Sequence, residues 1–328
     1  MSHILSLPKL TVLTITGADR AAVADNVCTA DLAKLAAGRW AEGFFTNVKG
    51  RVVGHGLFLA MPDRLVFVGE AGQGVALAEH LKRYIINEDA DIADLSDRRR
   101  GWLLFGPDAE KHWAVVSGVA TAESLASLDL DAHAMGKIAE QPVLIARAPW
   151  APGGGWLVIG EEVGSDAVAS GFAASGVASL GPDTWPSVRL SAGWPAYGVD
   201  ITHANLPQEV NRNARAISFT KGCYLGQETV ARLNALGHVN RLLVRLSSDD
   251  PEPLPAGAEL FLPADADEAR ASPVGQITSS AREFGGAGGL SFAYVRAAHA
   301  AAGNALVCGG SRLVIHAQGV FGKRGVPF

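Results

Sequence analysis

One octapeptide stands out in the chain: Lys221-Gly222-Cys223-Tyr224-Leu225-Gly226-Gln227-Glu228. A cysteine is chemically useful as the thiolate, and a nearby cation or a helix N-terminus favours that form. Lys221 lies two residues before Cys223, and a helical pattern begins at Gly226, just after the cysteine. The flanking glycines would let another molecule approach the backbone closely. These residues indicate a reactive thiol at Cys223; the alternative is an inert cysteine buried in a tight turn.

Length and composition narrow the class of protein. A chain of 328 residues exceeds one ordinary compact core, so we expect two or three packed units. The net charge of −5 provides no basic field for nucleic acid, and no stretch approaches the ~20 apolar residues of a membrane span. The N-terminus lacks the features of a signal peptide. We therefore expect a cytoplasmic protein with neither a nucleic-acid nor a membrane partner.

The three cysteines, Cys28, Cys223 and Cys308, are odd in number and widely separated, which favours a reducing compartment. Cys28 and Cys308 lie in apolar, alternating surroundings and are interpreted as packing residues. The nine histidines form no HxxxH or HExxH pattern, so we expect no dedicated metal site.

Strand and helix patterns alternate through the first 240 residues. A strand is predicted at 10–16, followed by a helix with Asp19 as its N-cap, and a hairpin within 43–60 turns at 47–50. A comparable order of strands and helices returns between 102 and 175 and suggests an internal duplication. Many of these strands join as hairpins, which indicates an α+β fold rather than a doubly wound parallel sheet.

Short strands separated by Pro-, Gly- and Asp-rich turns dominate the chain beyond residue 240, at 242–246, 259–262, 274–279, 290–295 and 313–317. Such even spacing is typical of a small barrel or sandwich. We therefore place a domain boundary near 240, with an α+β region at 1–240, possibly of two subdomains, and a C-terminal β-barrel at 241–328.

Two further stretches could bind a ligand. Gly and Pro density at 193–209 marks an irregular connection that carries Tyr197, Asp200 and Glu209; the alternative is that Asp200 caps a turn and Glu209 faces water. The stretch 44–51 places two phenylalanines beside Asn47, Lys49 and an arginine, which could hold a flat ring and an anionic tail. Its alternative is a hairpin turn with aromatic residues in the core.

The octapeptide matches the K-G-C-[YF]-x-G-Q-E signature of the YgfZ-like family, relatives of the T-protein (aminomethyltransferase) of the glycine cleavage system. The chain resembles this family also at 44–51, at Gly198-Val199-Asp200 and at 275–279. The resemblance implies a ring of α+β units around a central channel plus a barrel, with tetrahydrofolate in the channel. It also implies a part in assembly or repair of iron–sulfur clusters in client enzymes.

The resemblance supplies the candidate site. Cys223 is the functional thiol, carboxylates at Asp200 and Glu209 would accept hydrogen bonds from the pterin, and cations would line the channel and the site of the anionic tail. The cofactor-binding candidates are Asn47, Lys49, Tyr197, Asp200, Glu209, Lys221, Gln227 and Arg241.

Two departures bear on activity. Aligned on Asn47 and Gly50, the aspartate of the T-protein hairpin is replaced by Gly54, next to His55, and the glutamate of its Arg-Leu-Glu-Ala-Gly motif is replaced by Ser191. We therefore expect a folate-binding accessory protein for iron–sulfur enzymes. The alternatives are a folate-dependent aminomethyl or methyl transferase, with His55 as the substitute base, and a scaffold that has lost its ligand.

Overall fold

The computed structural model describes residues 1–117, 129–237, 239–263 and 272–317. The strands are β1 His3–Ser6, β2 Leu10–Thr16, β3 Trp40–Thr46, β4 Val52–Ala60, β5 Arg64–Glu70, β6 Asp91–Asp94, β7 Arg99–Phe105, β8 His133–Ile138, β9 Gln141–Ala148, β10 Gly155–Glu161, β11 Ala178–Leu180, β12 Arg241–Ser248, β13 Glu259–Leu260, β14 Gly275–Arg282, β15 Gly289–Arg296, β16 Ala305–Cys308 and β17 Ser311–Ile315. The α-helices are α1 Arg20–Asp25, α2 Gly74–Lys82, α3 Ala109–Ser117, α4 Ser165–Ala174, α5 Trp185–Ala192, α6 Asn213–Ala216 and α7 Gln227–Leu236.

The described residues form three β-sheets. The first has the order β3-β4-β5-β2-β6 with antiparallel neighbours throughout. The second has the order β11-β1-β7-β10-β9-β8, in which β1 and β11 are parallel. Apolar residues of both sheets form one core, to which Leu57 and Val68 contribute from the first sheet and Leu103 and Leu157 from the second. Burial of this shared apolar surface joins the two sheets.

The two α+β units have the same topology. In chain order, β2, α1, β3, β4, β5, α2 and β6 correspond to β7, α3, β8, β9, β10, α4 and β11, and the strand order differs only by the insertion of β1. The stretches just before β3 and β8 pair antiparallel through Arg39 and Ala132, as expected of two units related by an approximate twofold axis. This arrangement agrees with the duplication that the sequence suggested.

The third sheet, β13-β14-β15-β12-β17-β16, closes into a barrel. Its two edges meet because Phe261, directly after β13, pairs with Val307 of β16 in both directions, with N···O distances of 2.9 Å. Closure removes the unpaired edges that an open sheet would present. The predicted α+β class and the C-terminal barrel are therefore confirmed.

Some local predictions were incomplete. Strands β1, β8, β11 and β16 were missed; they are short or edge strands, and β8 contains a glycine, so their pattern is weak. Asp19 precedes α1 but does not cap it, since its Oδ2 instead accepts a hydrogen bond from the backbone N–H of Asp89 at 2.8 Å.

Candidate functional site

The connection between α6 and α7 presents Cys223 at the surface. Within it, Lys221 and Tyr224 are buried, whereas Gly222 and Cys223 between them are exposed. The helix predicted after the cysteine is α7, which starts four residues beyond Cys223. A cysteine buried in the core, the alternative interpretation, does not describe this residue.

The buried side chain of Lys221 attaches this loop to the first α+β unit. Its Nζ donates to the carbonyl oxygens of Asp25, Cys28 and Ala30 at 2.7–3.0 Å and lies 2.7 Å from Asp25 Oδ1. The ammonium therefore binds the end of α1 and the turn that follows it. Lys221 was predicted to act as the cation beside the Cys223 thiol, but its contacts give it a different role: Lys221 anchors the loop.

The turn of the β3–β4 hairpin supports the same loop from the side. Thr46 Oγ1 donates to Leu225 O at 2.7 Å. Gly226 has φ +77°, and a Cβ there would overlap the backbone of Asn47 and Gly50. The glycine is thus required twice, by its left-handed conformation and by the close approach of the hairpin. Two motifs about 175 residues apart in sequence meet at this point.

Three other predicted residues, Asn47, Lys49 and Gln227, lie on this surface. Asn47 Oδ1 accepts the backbone N–H groups of Lys49 and Arg51 at 2.9 and 3.1 Å and thereby shapes the turn. Lys49 is exposed, and Gln227 Nε2 donates to Gly222 O at 3.4 Å across the loop. The structure thus brings Asn47, Lys49 and Gln227 to the hairpin–loop surface of Cys223, with Lys221 beneath it.

Asp200 lies elsewhere, in a buried polar cluster. Its Oδ2 accepts from Arg189 Nη1 at 2.6 Å and from the Ala196 N–H at 2.9 Å, and its Oδ1 accepts from the hydroxyls of Thr278 and Ser279 at 2.5 and 2.6 Å. Asp200 is 1% exposed. Both oxygens are engaged by the protein, so Asp200 links α5, the loop and the barrel and is not free to bind a pterin.

Glu209 and Arg241, two candidates from the sequence, pair with each other. Arg241 Nε and Nη2 lie 3.2 and 3.3 Å from the carboxylate, which also accepts the Leu206 N–H at 3.1 Å. Neither alternative for Glu209, a pterin ligand or a water-facing side chain, matches this pair, in which Glu209 is buried and Arg241 is partly exposed. Tyr197 is half-buried beside this region, and burial raises the pKa of its phenol.

A buried charged cluster lies next to the hairpin, and of its members the sequence indicated only His55, as a substitute base, whereas Glu42 and Arg212 were missed. Glu42 of β3 binds Arg212 through both carboxylate oxygens, and His55 Nε2 of β4 lies 2.9 Å from Glu42 Oε1. The His55 ring stacks between Phe44 and Trp194, with centroid distances of 4.9 and 4.7 Å. The only signal in the sequence was a polar residue on the alternating pattern of each strand.

The environment sets the ionisation of this cluster. Burial alone would raise the pKa of Glu42, but the charge and hydrogen bonds of Arg212, with His55, hold that pKa well below its usual range. Burial lowers the pKa of His55, although Glu42 acts in the opposite direction. The cluster therefore holds an ionised carboxylate, an arginine and a neutral imidazole.

Other residues of the protein contact both positions at which the chain departs from the T-protein pattern, Gly54 and Ser191. A Cβ at Gly54 would lie 2.8 Å from the Leu77 methyl carbons, so a carboxylate there would require the Leu77 side chain of α2 to move. Ser191 Oγ accepts a hydrogen bond from the Phe284 N–H at 2.9 Å. Leu77 thus packs against Gly54, and the hydroxyl of Ser191 is bound within the protein.

Within the described residues, no group of three or more His, Cys, Asp or Glu side chains is arranged to hold a metal ion. No helix in the described ranges is long and apolar enough to cross a membrane.

Cys28 and Cys308 are buried, as predicted, and burial raises the pKa of the Cys28 thiol to about 12.

The fold is that of a glycine cleavage aminomethyltransferase. The solved structure of aminomethyltransferase T from Bartonella henselae superposes with a TM-score of 0.81 at 19% identity, covering 96% of this chain and 85% of that one. Residues 4–221 match the GCVT N-terminal domain family, and the chain belongs to this family.

Curated relatives include the tRNA-modifying protein YgfZ of Sodalis glossinidius, 27% identical over 79% of this chain and 75% of the relative. The aminomethyltransferase of Streptomyces avermitilis is 24% identical over 89% of this chain and 78% of the relative. The resemblance inferred from the octapeptide is therefore confirmed at the level of a YgfZ-type, aminomethyltransferase-like protein.

Proposed function

We propose that this protein is a tetrahydrofolate-binding accessory protein of the cytoplasm that supports iron–sulfur enzymes through Cys223. Membership of the GCVT N-terminal domain family and similarity to YgfZ proteins support the general assignment. The observation that carries the proposal is the position of Cys223, exposed on a loop that is anchored from below and from the side.

An exposed, anchored thiol is suited to contact with another molecule. A thiolate can ligate iron or attack an electrophile, and both reactions require access. A four-iron cluster usually takes four thiolates, so Cys223 can provide only one ligand of a cluster. The remaining ligands would come from a client or assembly protein that meets this surface.

The folate site differs in detail from the one that the resemblance implied. Asp200 and Glu209 are saturated by protein donors, so they do not fit the role of pterin ligands. Lys221 is likewise engaged. Of the candidates at the hairpin–loop surface, Lys49 keeps an exposed ammonium that suits the anionic tail of a folate.

A transferase of the T-protein type has less support. The hairpin offers Gly54 in place of the aspartate, and a larger residue there would displace the Leu77 side chain. His55, the substitute base, is 1% exposed, stacked on both faces and bound to Glu42, so its Nε2 is not available to a substrate.

Folate binding is tested by titration calorimetry with tetrahydrofolate, together with thermal unfolding at saturating ligand. We expect saturable heat and a raised melting temperature, because a ligand that binds only the native state stabilises it. Lys49→Gln should weaken binding, while Lys82→Gln, at the exposed end of α2, should not. Absence of both heat and stabilisation would leave the scaffold alternative.

The role of the thiol is tested separately, in a strain that lacks the protein, by the activity of its iron–sulfur enzymes. Cys223→Ala should abolish rescue, whereas Thr220→Ala, an exposed neighbour in the same loop, should rescue fully. Full rescue by Cys223→Ala would remove the thiol from the function, even if tetrahydrofolate binds.

A further inference from the structure

The hairpin–loop surface around Cys223 carries exposed cations on two of its elements. Lys49 is exposed at the tip of the β3–β4 hairpin, whose turn packs against Gly226 just before α7. Helix α7 buries only Val230, and Arg232 lies on its exposed face. Both cations therefore point to solvent beside the loop that presents the thiol.

The C-terminal end of α2 adds two more cations to this surface. His80, in its last turn, lies with Nε2 3.0 Å from Thr46 O at the end of β3. Burial lowers the pKa of His80, and the charge of Arg83 acts in the same direction, so Arg83 lies close to this contact. Lys82 and Arg83 are both exposed. The end of α2 thus extends the positive charge along the hairpin.

The carboxylates of this surface do not neutralise the cations. Glu79 and Glu228 are exposed four residues before Arg83 and Arg232. None of these four side chains forms an ion pair within the described ranges. Four exposed cations against two exposed carboxylates leave an excess of two positive charges here, in a chain whose net charge is −5. The surface is therefore opposite in charge to the chain as a whole.

Two apolar side chains are exposed among these charges. Val48, at the tip of the hairpin, is 67% exposed. Phe219, four residues before Cys223 in the connection between α6 and α7, is 41% exposed. Exposed apolar side chains surrounded by polar ones are typical of surfaces that bind another protein.

The charge of the rest of the chain favours a short acidic segment over a nucleic acid. A nucleic acid is an extended polyanion, and its binding depends on many phosphate contacts with cations. Beyond this surface it would meet a chain with a net charge of −5, which repels it. A short protein segment interacts with the local excess of cations alone.

We propose that the hairpin–loop surface binds a protein partner through an acidic segment that also carries apolar side chains, and that this contact brings the partner to Cys223. The cations attract the segment and orient it, and Val48 and Phe219 contact its apolar side chains. The inference rests on the proposed function, in which Cys223 meets a client or assembly protein, and it names the chemistry of that partner.

The test uses the full chain and three peptides, each with one phenylalanine and one cysteine activated as its 2-thiopyridyl disulfide. The other positions are all glutamate, all glutamine or all lysine. The Cys223 thiolate attacks the cysteine sulfur of the peptide and 2-thiopyridone leaves, so the absorbance of 2-thiopyridone follows the reaction. Dividing each rate by that of the same peptide with mercaptoethanol removes differences in the reactivity of the peptides themselves.

We expect the normalised rate to be roughly tenfold higher for the glutamate peptide than for the lysine peptide at low salt, because the surface attracts acidic groups. Added salt should reduce this difference, since it screens exposed charges. Equal rates for the three peptides, or a preference for the lysine peptide, would overturn the proposal.

Variants show whether these cations cause the preference. Arg83→Gln combined with Arg232→Gln should slow the glutamate peptide roughly threefold, whereas Arg312→Gln, exposed on β17 of the barrel, should leave its rate unchanged. Lys49 stays in place because it is also the proposed folate contact. Neutral dithiodipyridine should react equally with all of these proteins, which shows that the thiol itself is unaltered. A wild-type rate of the glutamate peptide with the double variant would overturn the proposal.

A single-stranded RNA oligonucleotide, added as a competitor of the glutamate peptide, tests the other kind of polyanion. If it slows the reaction at a lower concentration than a glutamate peptide without cysteine does, the surface prefers nucleic acid and the proposal is wrong. The result is separate from the rescue assay. Loss of rescue in Cys223→Ala without any charge preference would support the proposed function and refute the acidic partner.

Discussion

The two α+β units share a topology but differ in what covers their hairpins. In the first unit β3 is buried along most of its length, and α6 and the cysteine loop pack against its hairpin. In the second unit the corresponding strand β8 is an edge strand with alternating exposure, and Met135 at its centre is 57% exposed. The same fold thus carries a candidate site only where later chain segments are added.

This difference shows that the topology alone does not make a site. The buried carboxylates Asp25 and Glu42 of the first unit are paired with Lys221 and Arg212, two cations of the segment between the second unit and the barrel. The second hairpin, β8–β9, has an ion pair between Lys137 and Glu140 at 3.6 Å, and both of its side chains are exposed. Substitutions at corresponding places in the two units should therefore have unequal effects.

The largest effect is expected at Lys221. Lys221→Met would leave Asp25 without its counter-charge and three carbonyl groups without their donor, and should lower the free energy of unfolding by about 3–5 kcal/mol. Lys137→Met in the second unit should change it by less than about 0.5 kcal/mol, because that pair is exposed. Urea unfolding followed by circular dichroism measures both; equal losses would contradict the contrast.

A second contrast compares two glycines with nearly the same φ. Gly226→Ala should destabilise by roughly 2–4 kcal/mol, because backbone strain adds to overlap with the hairpin turn. Gly153→Ala, in the β9–β10 connection with nothing within 4 Å of its added Cβ, should show only the strain of about 1–2 kcal/mol. If urea unfolding gives the same loss for both, the close approach of loop and hairpin is not a source of constraint.

Lowering the pH should destabilise the protein through the buried imidazole of His55 in the first unit. Burial lowers the folded pKa of His55, so below about pH 6.5 the unfolded chain binds its proton first and stability falls as the pH falls. His55→Phe keeps the ring stack and should reduce the slope of unfolding free energy against pH by up to about 1.4 kcal/mol per pH unit.

Two other histidines serve as references for that slope, measured by urea unfolding between pH 7 and 5. His133→Phe at the start of β8 should change it less, since His133 is 7% exposed and His55 1%. His203→Gln, at an exposed position, is the control for the removal of a histidine. A wild-type slope in His55→Phe would show that the folded and unfolded chains bind this proton equally, which contradicts a lowered pKa of His55 in the fold.

The smallest effect on stability is expected at the residue with the largest proposed effect on function. Cys223→Ser should change the free energy of unfolding by less than about 0.5 kcal/mol, because the side chain is exposed. Iodoacetamide should label Cys223 in the native protein and leave Cys28 and Cys308 unlabelled, as read by mass spectrometry. Rapid native labelling of Cys28 would mean that the loop does not cover the first unit as described.

Local sequence patterns were sufficient to predict the α+β class, the C-terminal barrel and the burial of Cys28 and Cys308. Strand and helix periodicity and turn residues are local signals, and each depends on only a few neighbouring residues. The order of elements even indicated the repeated unit, although the short strands β1, β8, β11 and β16 were missed. The octapeptide was specific enough to indicate the family.

The partners of the charged residues, in contrast, depend on how distant segments pack in the folded chain. Lys221 bonds to a carbonyl 196 positions away, Glu42 to an arginine 170 away, and Asp200 to hydroxyls of the barrel 78 and 79 away. The sequence marks such residues as polar but cannot tell a buried pair from a ligand contact. A buried charge requires a compensating partner, and long-range packing determines which group that is.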